Sequence, residues 1–143
     1  MKDSLSALTD ISKNYKSSLL RITKQVNLTI AEWQLLLQII DGNTTQDLLS
    51  KTTSLDTSTL SRQLKHLETK EMLDKTPTGR DKRQLIYAAT ELGVNAVKTI
   101  NEQTEQLDKQ IFDRWTEEET NLLQILLNRL DKSVKRILSK TEK

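Results

Sequence analysis

Apolar residues recur along this chain mostly at spacings of three and four, the period of a helix with one buried face. Leu5, Leu8, Ile11, Tyr15, Leu19, Ile22 and Val26 form the first such stripe and predict a long amphipathic helix over residues 4–26. Next comes Leu28-Thr29-Ile30-Ala31-Glu32-Trp33. Thr29 with Glu32 three residues on is a capping box, in which each side chain satisfies the other's backbone N–H, and Leu28 and Trp33 stand at the two positions of a hydrophobic staple. A second helix is predicted from residue 30 to about residue 41, where Gly42 supplies the positive φ that ends helices at little cost. Thr44 precedes a third, short helix over residues 45–52, with Asp47 in its first turn. Asp56 or Thr57 caps a fourth, which runs to residue 70 with Leu60, Leu64 and Leu67 on one side.

There the period changes. Residues 72–76 and 84–89 suit β-strands, and Pro77-Thr78-Gly79-Arg80-Asp81-Lys82-Arg83 between them carries the turn signals of a hairpin with a basic tip. Thr90 caps a fifth helix whose stripe is Leu92, Ala96, Ile100, Leu107 and Ile111, extending to about residue 114. Thr116-Glu117-Glu118-Glu119 is a second capping box and opens a sixth helix, in which Leu122, Leu123, Leu126, Leu127, Leu130, Val134, Ile137 and Leu138 make a wide apolar face. The pattern predicts a mainly α fold with one small β-hairpin, and 143 residues are the size of a single domain spanning residues 1–143.

Composition narrows what such a fold does. With 35% apolar residues and five aromatics (Tyr15, Trp33, Tyr87, Phe112, Trp115), the core must be built from Leu and Ile. The absence of Cys excludes disulfides, thiolate metal sites and thiol nucleophiles. No apolar run approaches the length of a membrane span, and MKDSLSALTDISKNYK lacks the apolar segment of a signal peptide, so a soluble, cytoplasmic chain is expected. One Pro and three Gly argue against disorder and against Gly-rich nucleotide loops.

Enzyme readings lack their parts. His66 is the sole histidine, and no GxSxG, HExxH, Walker or GxGxxG pattern occurs. Glu117, Glu118 and Glu119 are explained by the helix N-terminus they occupy, where negative charge stabilises the dipole. A lone His66 supplies one metal ligand where a site needs several, so it reads as a surface or packing histidine. No metal and no cofactor is expected.

The net charge of +2 is unevenly spread, and residues 62–83 alone hold +3. On the fourth helix, Leu64 and Leu67 fall within about 40° of Leu60 on the helical wheel. Ser58, Ser61, Arg62, Lys65 and Thr69 fall on the opposite side. Such a face meets only water in many helices. Here its hydroxyls, Arg and Lys are also groups that read base edges and neutralise phosphates, and a helix, a polar turn and a second helix have the dimensions of a helix-turn-helix. The basic hairpin tip immediately follows, and an Arg on a slender loop suits a narrow minor groove. Asp81 beside Arg80, Lys82 and Arg83 reads as an orienting partner that pins a guanidinium by a charge-assisted hydrogen bond.

Over essentially its whole length the order of elements resembles the MarR family of winged helix-turn-helix regulators. The resemblance is carried by Leu55-Asp56-Thr57-Ser58-Thr59-Leu60-Ser61-Arg62-Gln63-Leu64 with Leu67-Glu68, which looks like the recognition-helix pattern, by Asp81-Lys82-Arg83, which looks like the Asp-x-Arg wing motif, and by Thr90-Glu91-Leu92-Gly93, similar to the Leu-Thr-x-x-Gly that opens the next helix. It implies a winged helix-turn-helix over residues 28–93, flanked by long N- and C-terminal dimerisation helices over 1–27 and 94–143. It also implies a homodimer that binds double-stranded DNA at a pseudo-palindromic operator, usually as a repressor, and lets go when a small-molecule effector is sensed.

DNA-binding residues are then expected at Ser58, Ser61, Arg62, Gln63 and Lys65 on the helix and at Arg80, Asp81, Lys82 and Arg83 on the wing. Arg62 is the first choice for base readout, Arg83 for the minor groove. Tyr15 and Trp33 are candidates for an effector pocket, although both also fit a plain core role. Two departures stand out. Glu71 occupies the place where a Gly commonly ends the recognition helix, so a different helix exit is expected. Ala89 replaces the usual Leu before Thr90. The competing reading is a helical adaptor that uses the apolar sixth helix to capture another protein, without specific DNA recognition.

Overall fold

The computed structural model describes residues 1–141, in the order α1 (Ser4–Gln25), α2 (Ile30–Ile40), α3 (Gln46–Thr53), α4 (Thr57–Thr69), β1 (Leu73–Thr78), β2 (Gln84–Ala89), α5 (Glu91–Ile111) and α6 (Glu117–Thr141). This is the mainly helical fold with a single antiparallel hairpin that the pattern of apolar positions predicts. Glu142 and Lys143, the end of the expected C-terminal helical region, lie outside the described residues. The chain divides into two compact units, Met1–Thr104 and a second beginning at Glu105, with the division inside α5. Among the described residues no helix is long and apolar enough to cross a membrane.

The first unit is built around the leucines. Leu35, Leu36 and Ile39 of α2, Leu49 of α3, Leu60, Leu64 and Leu67 of α4, and Ala96, Val97 and Ile100 of α5 are buried, with Tyr87 closing the hairpin side. In α1 only Ile22 and Thr23 are buried, while Leu5, Ile11 and Leu20 stay exposed. The stripe on α1 is therefore covered only at its C-terminal end within this unit.

Several boundaries shift from the sequence reading for local reasons. Thr45, not Thr44, caps α3, its hydroxyl accepting the Leu48 N–H at 3.2 Å. Strand β1 runs through Pro77 to Thr78, with Pro77 opposite Leu85. A two-stranded ribbon has an open edge on each strand, where a proline's missing N–H is tolerated. On α5 the buried stripe is Gly93, Ala96, Val97 and Ile100, and Leu92 is exposed. Gly93 sets that rotation: a Cβ there would lie 2.3 Å from the Met72 carbonyl oxygen, so only glycine lets the helix start this close to the chain entering β1. The fifth helix also ends at Ile111 instead of near residue 114.

In the second unit, Phe112 and Trp115 stack edge to face at 5.2 Å in the turn after α5. The expected capping box follows: Thr116 N–H donates to Glu119 Oε1 at 2.9 Å and Glu119 N–H to Thr116 Oγ1 at 3.1 Å. No residue of α6 is buried, and Leu122, Ile125, Leu126, Leu127, Val134, Ile137 and Leu138 are all exposed.

One interaction ties three helix ends of the first unit together. The α2 capping box is present, with Thr29 N–H donating to Glu32 Oε1 at 2.9 Å and Glu32 N–H to Thr29 Oγ1 at 3.0 Å. Glu32 is also 1% exposed, and its Oε1 accepts from Lys70 Nζ at 2.7 Å. The same ammonium donates to the Asn27 carbonyl at 2.9 Å. Lys70 is the C-cap of α4, and Asn27 follows the end of α1. Burial pushes the Glu32 carboxyl up, but the Lys70 hydrogen bond, the Thr29 N–H and the Lys70 charge outweigh it, leaving its pKa below the ordinary value.

Lys70→Met strands a buried carboxylate and should cost about 3–5 kcal/mol near neutral pH, read from urea unfolding midpoints. Because the Glu32 pKa is lower in the folded chain, its contribution is full above the ordinary carboxylate value and disappears as pH falls through the folded value. The gap between wild type and variant should therefore narrow on acidification. A gap independent of pH would show that Lys70 acts through packing and not charge.

Candidate nucleic-acid interface

Helix α4 is capped by Asp56, whose carboxylate accepts the Thr59 N–H at 2.7 Å. That hydrogen bond, helped by the Arg62 charge, holds the Asp56 carboxyl below its ordinary value. The three leucines of α4 face inward, and Ser58, Ser61, Arg62 and Lys65 are exposed on the other side. Gln63 stands apart from them: it is half-buried, and its Oε1 is shielded with no hydrogen-bond partner among the described residues.

The exit of α4 does not differ in the way Glu71 suggests. Glu71 takes the left-handed conformation at φ 61°, its N–H donates to Glu68 O at 2.9 Å, and Met72 N–H reaches back to Leu67 O at 3.0 Å. These are the two hydrogen bonds of a Schellman motif, and the buried Leu67 and Met72 occupy the positions of its usual hydrophobic contact. The strained residue is held from outside: Thr90 Oγ1 donates to the Glu71 carbonyl at 2.7 Å and accepts the Gly93 N–H at 3.1 Å, while Thr90 N–H donates to Met72 O at 3.1 Å. The Thr90-x-x-Gly93 pattern is thus the seat on which the end of α4 rests.

The wing tip turns through Gly79 at φ 92° and Lys82 at φ 56°, closed by Lys82 N–H to Gly79 O at 3.3 Å. Arg80, Asp81, Lys82 and Arg83 are all exposed there. Asp81 holds Arg83 twice: Oδ1 accepts the Arg83 N–H at 3.3 Å, and Oδ2 lies 3.4 Å from Nε. The second contact is wider than a charge-assisted hydrogen bond of about 2.7–2.9 Å, so it is a solvated ion pair. It engages Nε and leaves the terminal amino groups of the guanidinium for another partner.

Helix, wing and α3 meet at a residue that periodicity does not mark. Gln46, the first residue of α3, donates from Nε2 to Ser61 Oγ at 2.9 Å. With Thr45 and Asp47 it also lines a cleft completed by Arg83, Gln84 and Leu85 at the wing base. The hairpin is fixed to the same corner, since Tyr87 N–H donates to Thr44 O at 2.8 Å. On the α4 side, Lys75 Nζ of β1 lies 3.4 Å from Glu68 Oε1. Burial, and then the Glu68 charge, push the Tyr87 phenol up. Gln46 and Lys70 were invisible to the sequence because each acts through a partner distant in the chain, and Lys75 because its partner Glu68 lies in the preceding helix, across the turn into β1.

Tyr15 is half-exposed on α1, and Trp33 is half-buried on α2 with its Nε1 shielded and without a hydrogen-bond partner among the described residues. The open cleft between α2 and the end of α3, lined by Leu35, Gln38, Thr52 and Leu55 among others, includes neither. Among the described residues no group of three or more His, Cys, Asp or Glu is placed to hold a metal ion.

Glu71→Gly should stabilise the chain by about 1 kcal/mol, because glycine adopts the left-handed conformation without the Cβ penalty. A rise in the urea midpoint checks this, and an unchanged or lower midpoint would show that the Glu71 side chain contributes more than its strain costs.

Residues 26–84, which span the helix-turn-helix and most of the hairpin, match the model of the MarR family. A curated relative, the HTH-type transcriptional regulator YxaD of Bacillus subtilis, is 31% identical over 85 residues, and the match spans 59% of this chain and 59% of that protein. In fold the chain is similar to an S. aureus MepR point mutant, with a TM-score of 0.81 at 18% identity, covering 93% of this chain and 99% of that one. It is also similar to a mutant E. coli MarR complexed with operator DNA, with a TM-score of 0.69 at 24% identity, covering 88% and 92%. Residues 26–84 thus match the MarR family, and the chain as a whole shares with these solved structures the arrangement of six helices and a hairpin.

Proposed function

We propose that the chain is a sequence-specific DNA-binding transcription regulator. The observation that carries this reading is the two-sidedness of α4: three leucines fully inside, Ser58, Ser61, Arg62 and Lys65 outside, and a basic wing tip fastened to the same corner of the fold. Arg62 suits a bidentate contact to a guanine in the major groove, with Ser58, Ser61 and Lys65 around it. Gln63 would have to turn out of its half-buried position to take part. Arg83, oriented by Asp81, suits the minor groove, with Arg80 and Lys82 against phosphates. The E. coli relative whose structure was solved on operator DNA supports the same use of this fold.

The regulator works as a homodimer. The apolar row of α6, with Ile125 and Ile137 more than half exposed, and the uncovered Leu5 and Ile11 of α1 are the surfaces a second copy would cover. A two-fold dimer presents two α4 helices to half-sites about 34 Å apart or a small multiple, which is why a pseudo-palindromic operator is expected. Repression follows if that operator overlaps a promoter. A small-molecule effector that favours a dimer with the wrong half-site spacing would release DNA. Trp33 is the best-supported contact for it, because its buried indole N–H lacks an acceptor among the described residues, and Tyr15 is the second. No catalytic role is assigned to any residue.

Fluorescence anisotropy on a duplex from upstream of the gene, with excess unrelated DNA, tests the reading. Arg62→Ala should lose about 1–3 kcal/mol of specific binding and blur sequence preference, whereas Lys82→Ala should weaken all DNA alike and reduce the salt slope by about 1. Equal binding by wild type and Arg62→Ala on every promoter tried, abolished by salt, would favour the adaptor reading. Replacing Leu126 and Ile137 together by Asp should convert a dimer into a 16.4 kDa monomer in sedimentation and remove tight operator binding. A wild type already monomeric at the concentrations used for binding would overturn the dimer.

A further inference from the structure

We propose that Gln46 is a specificity-positioning residue, whose side-chain amide turns the Ser61 hydroxyl into a hydrogen-bond donor aimed at one base, so that α3 and α4 read that base pair together. The inference rests on the DNA-binding reading above and extends it to a residue outside α4.

A free serine is an ambivalent reader. Its hydroxyl has one proton to give and two lone pairs to offer, and it rotates to suit its partner. Ser61 is not free: Gln46 Nε2 donates to its Oγ at 2.9 Å, although the two residues are fifteen apart in sequence, Ser61 exposed and Gln46 half-buried. With one lone pair engaged by Gln46, the hydroxyl proton points away from the amide and is available to an acceptor. In the major groove the acceptors are guanine N7 and O6, adenine N7 and thymine O4, while cytosine presents an N4 donor. A held Ser61 therefore favours an acceptor, because its proton is directed away from Gln46 while only one lone pair, in a fixed direction, is left to accept from the cytosine amino group. Released from Gln46, the hydroxyl turns over and accepts from cytosine as readily as it donates.

The position of Gln46 fits this task. It begins α3 directly after the Thr45 cap, so its backbone is fixed by the helix start. It also borders the cleft that reaches Arg83 and Gln84 at the base of the wing. An exposed hydrogen bond between two surface side chains contributes little to folding, since water competes for both groups. Its consequence is orientation.

The test is anisotropy on a panel of duplexes, starting from the sequence the protein selects from a random pool and changing each base pair in turn. Wild type, Gln46→Met, Ser61→Ala and the double variant are compared, with thermal melting to confirm equal stability. Methionine keeps the length of Gln46 and removes its amide. At one base pair wild type should prefer an acceptor-bearing base over cytosine by about tenfold. Gln46→Met should lose most of that preference and stay within about twofold of wild type elsewhere. Ser61→Ala should lose the same preference, and the double variant should match Ser61→Ala, because the two side chains form one unit. Uniform weakening of Gln46→Met on all duplexes, or a loss at a base pair that Ser61→Ala leaves untouched, overturns the proposal and leaves the DNA-binding reading standing. A wild type with no preference across the panel overturns both.

Discussion

The Lys70 ammonium is the point on which the packing of α1, α2 and α4 depends. It reaches from the end of α4 to a buried carboxylate at the start of α2 and to the Asn27 carbonyl beyond the end of α1. Taking Glu32 out of water costs several kcal/mol unless a cation and hydrogen bonds compensate, so the arrangement is close to all or none. The distance from Lys70 to Glu32 thereby fixes where α4 ends relative to α2. The other end of α4 is set by Asp56 at its cap. A helix held at both ends presents its outer residues at a definite angle, which a base-reading surface requires.

Beyond Lys70 the chain makes a second commitment. Glu71 accepts a left-handed conformation, and Thr90 and Gly93 hold the consequence in place by binding the Glu71 carbonyl and admitting the Met72 carbonyl against the α5 backbone. The start of α5 is thus built onto the exit of α4. Since α5 is also the covalent link into the second unit, the segment joining the two units begins at the exit of α4. The wing is anchored separately, through Tyr87 to Thr44 and Lys75 to Glu68.

What the sequence showed and what it hid divide along a physical line. Both capping boxes, Thr29 with Glu32 and Thr116 with Glu119, are legible because partner and backbone lie within four residues. The leucine stripe of α4 is legible because a buried helical face must repeat at the helical period. The second partner of Glu32 is 38 residues away, and no local signal marks it. The same holds for Gln46, whose hydrogen-bond partner Ser61 is fifteen residues away. Leu92 misled because apolar periodicity alone sets its phase, whereas the rotation of α5 is decided by the close approach at Gly93. Pro77 read as a turn because its place in an edge of the ribbon depends on which strand lies beside it. For the site, the exposed face of α4 and the wing tip were visible as residues. Their junction through α3 was not.

The central claim is that α4 and the wing act on one DNA surface, in two copies. Hydroxyl-radical footprinting on a duplex that the protein selects from a random pool tests it most directly. The account predicts two protected stretches related by two-fold symmetry, spaced by a whole number of helical turns, each flanked by a minor-groove protection that disappears in Arg83→Ala. Protection spread evenly along the duplex, or a pattern unchanged by Arg83→Ala, would contradict it.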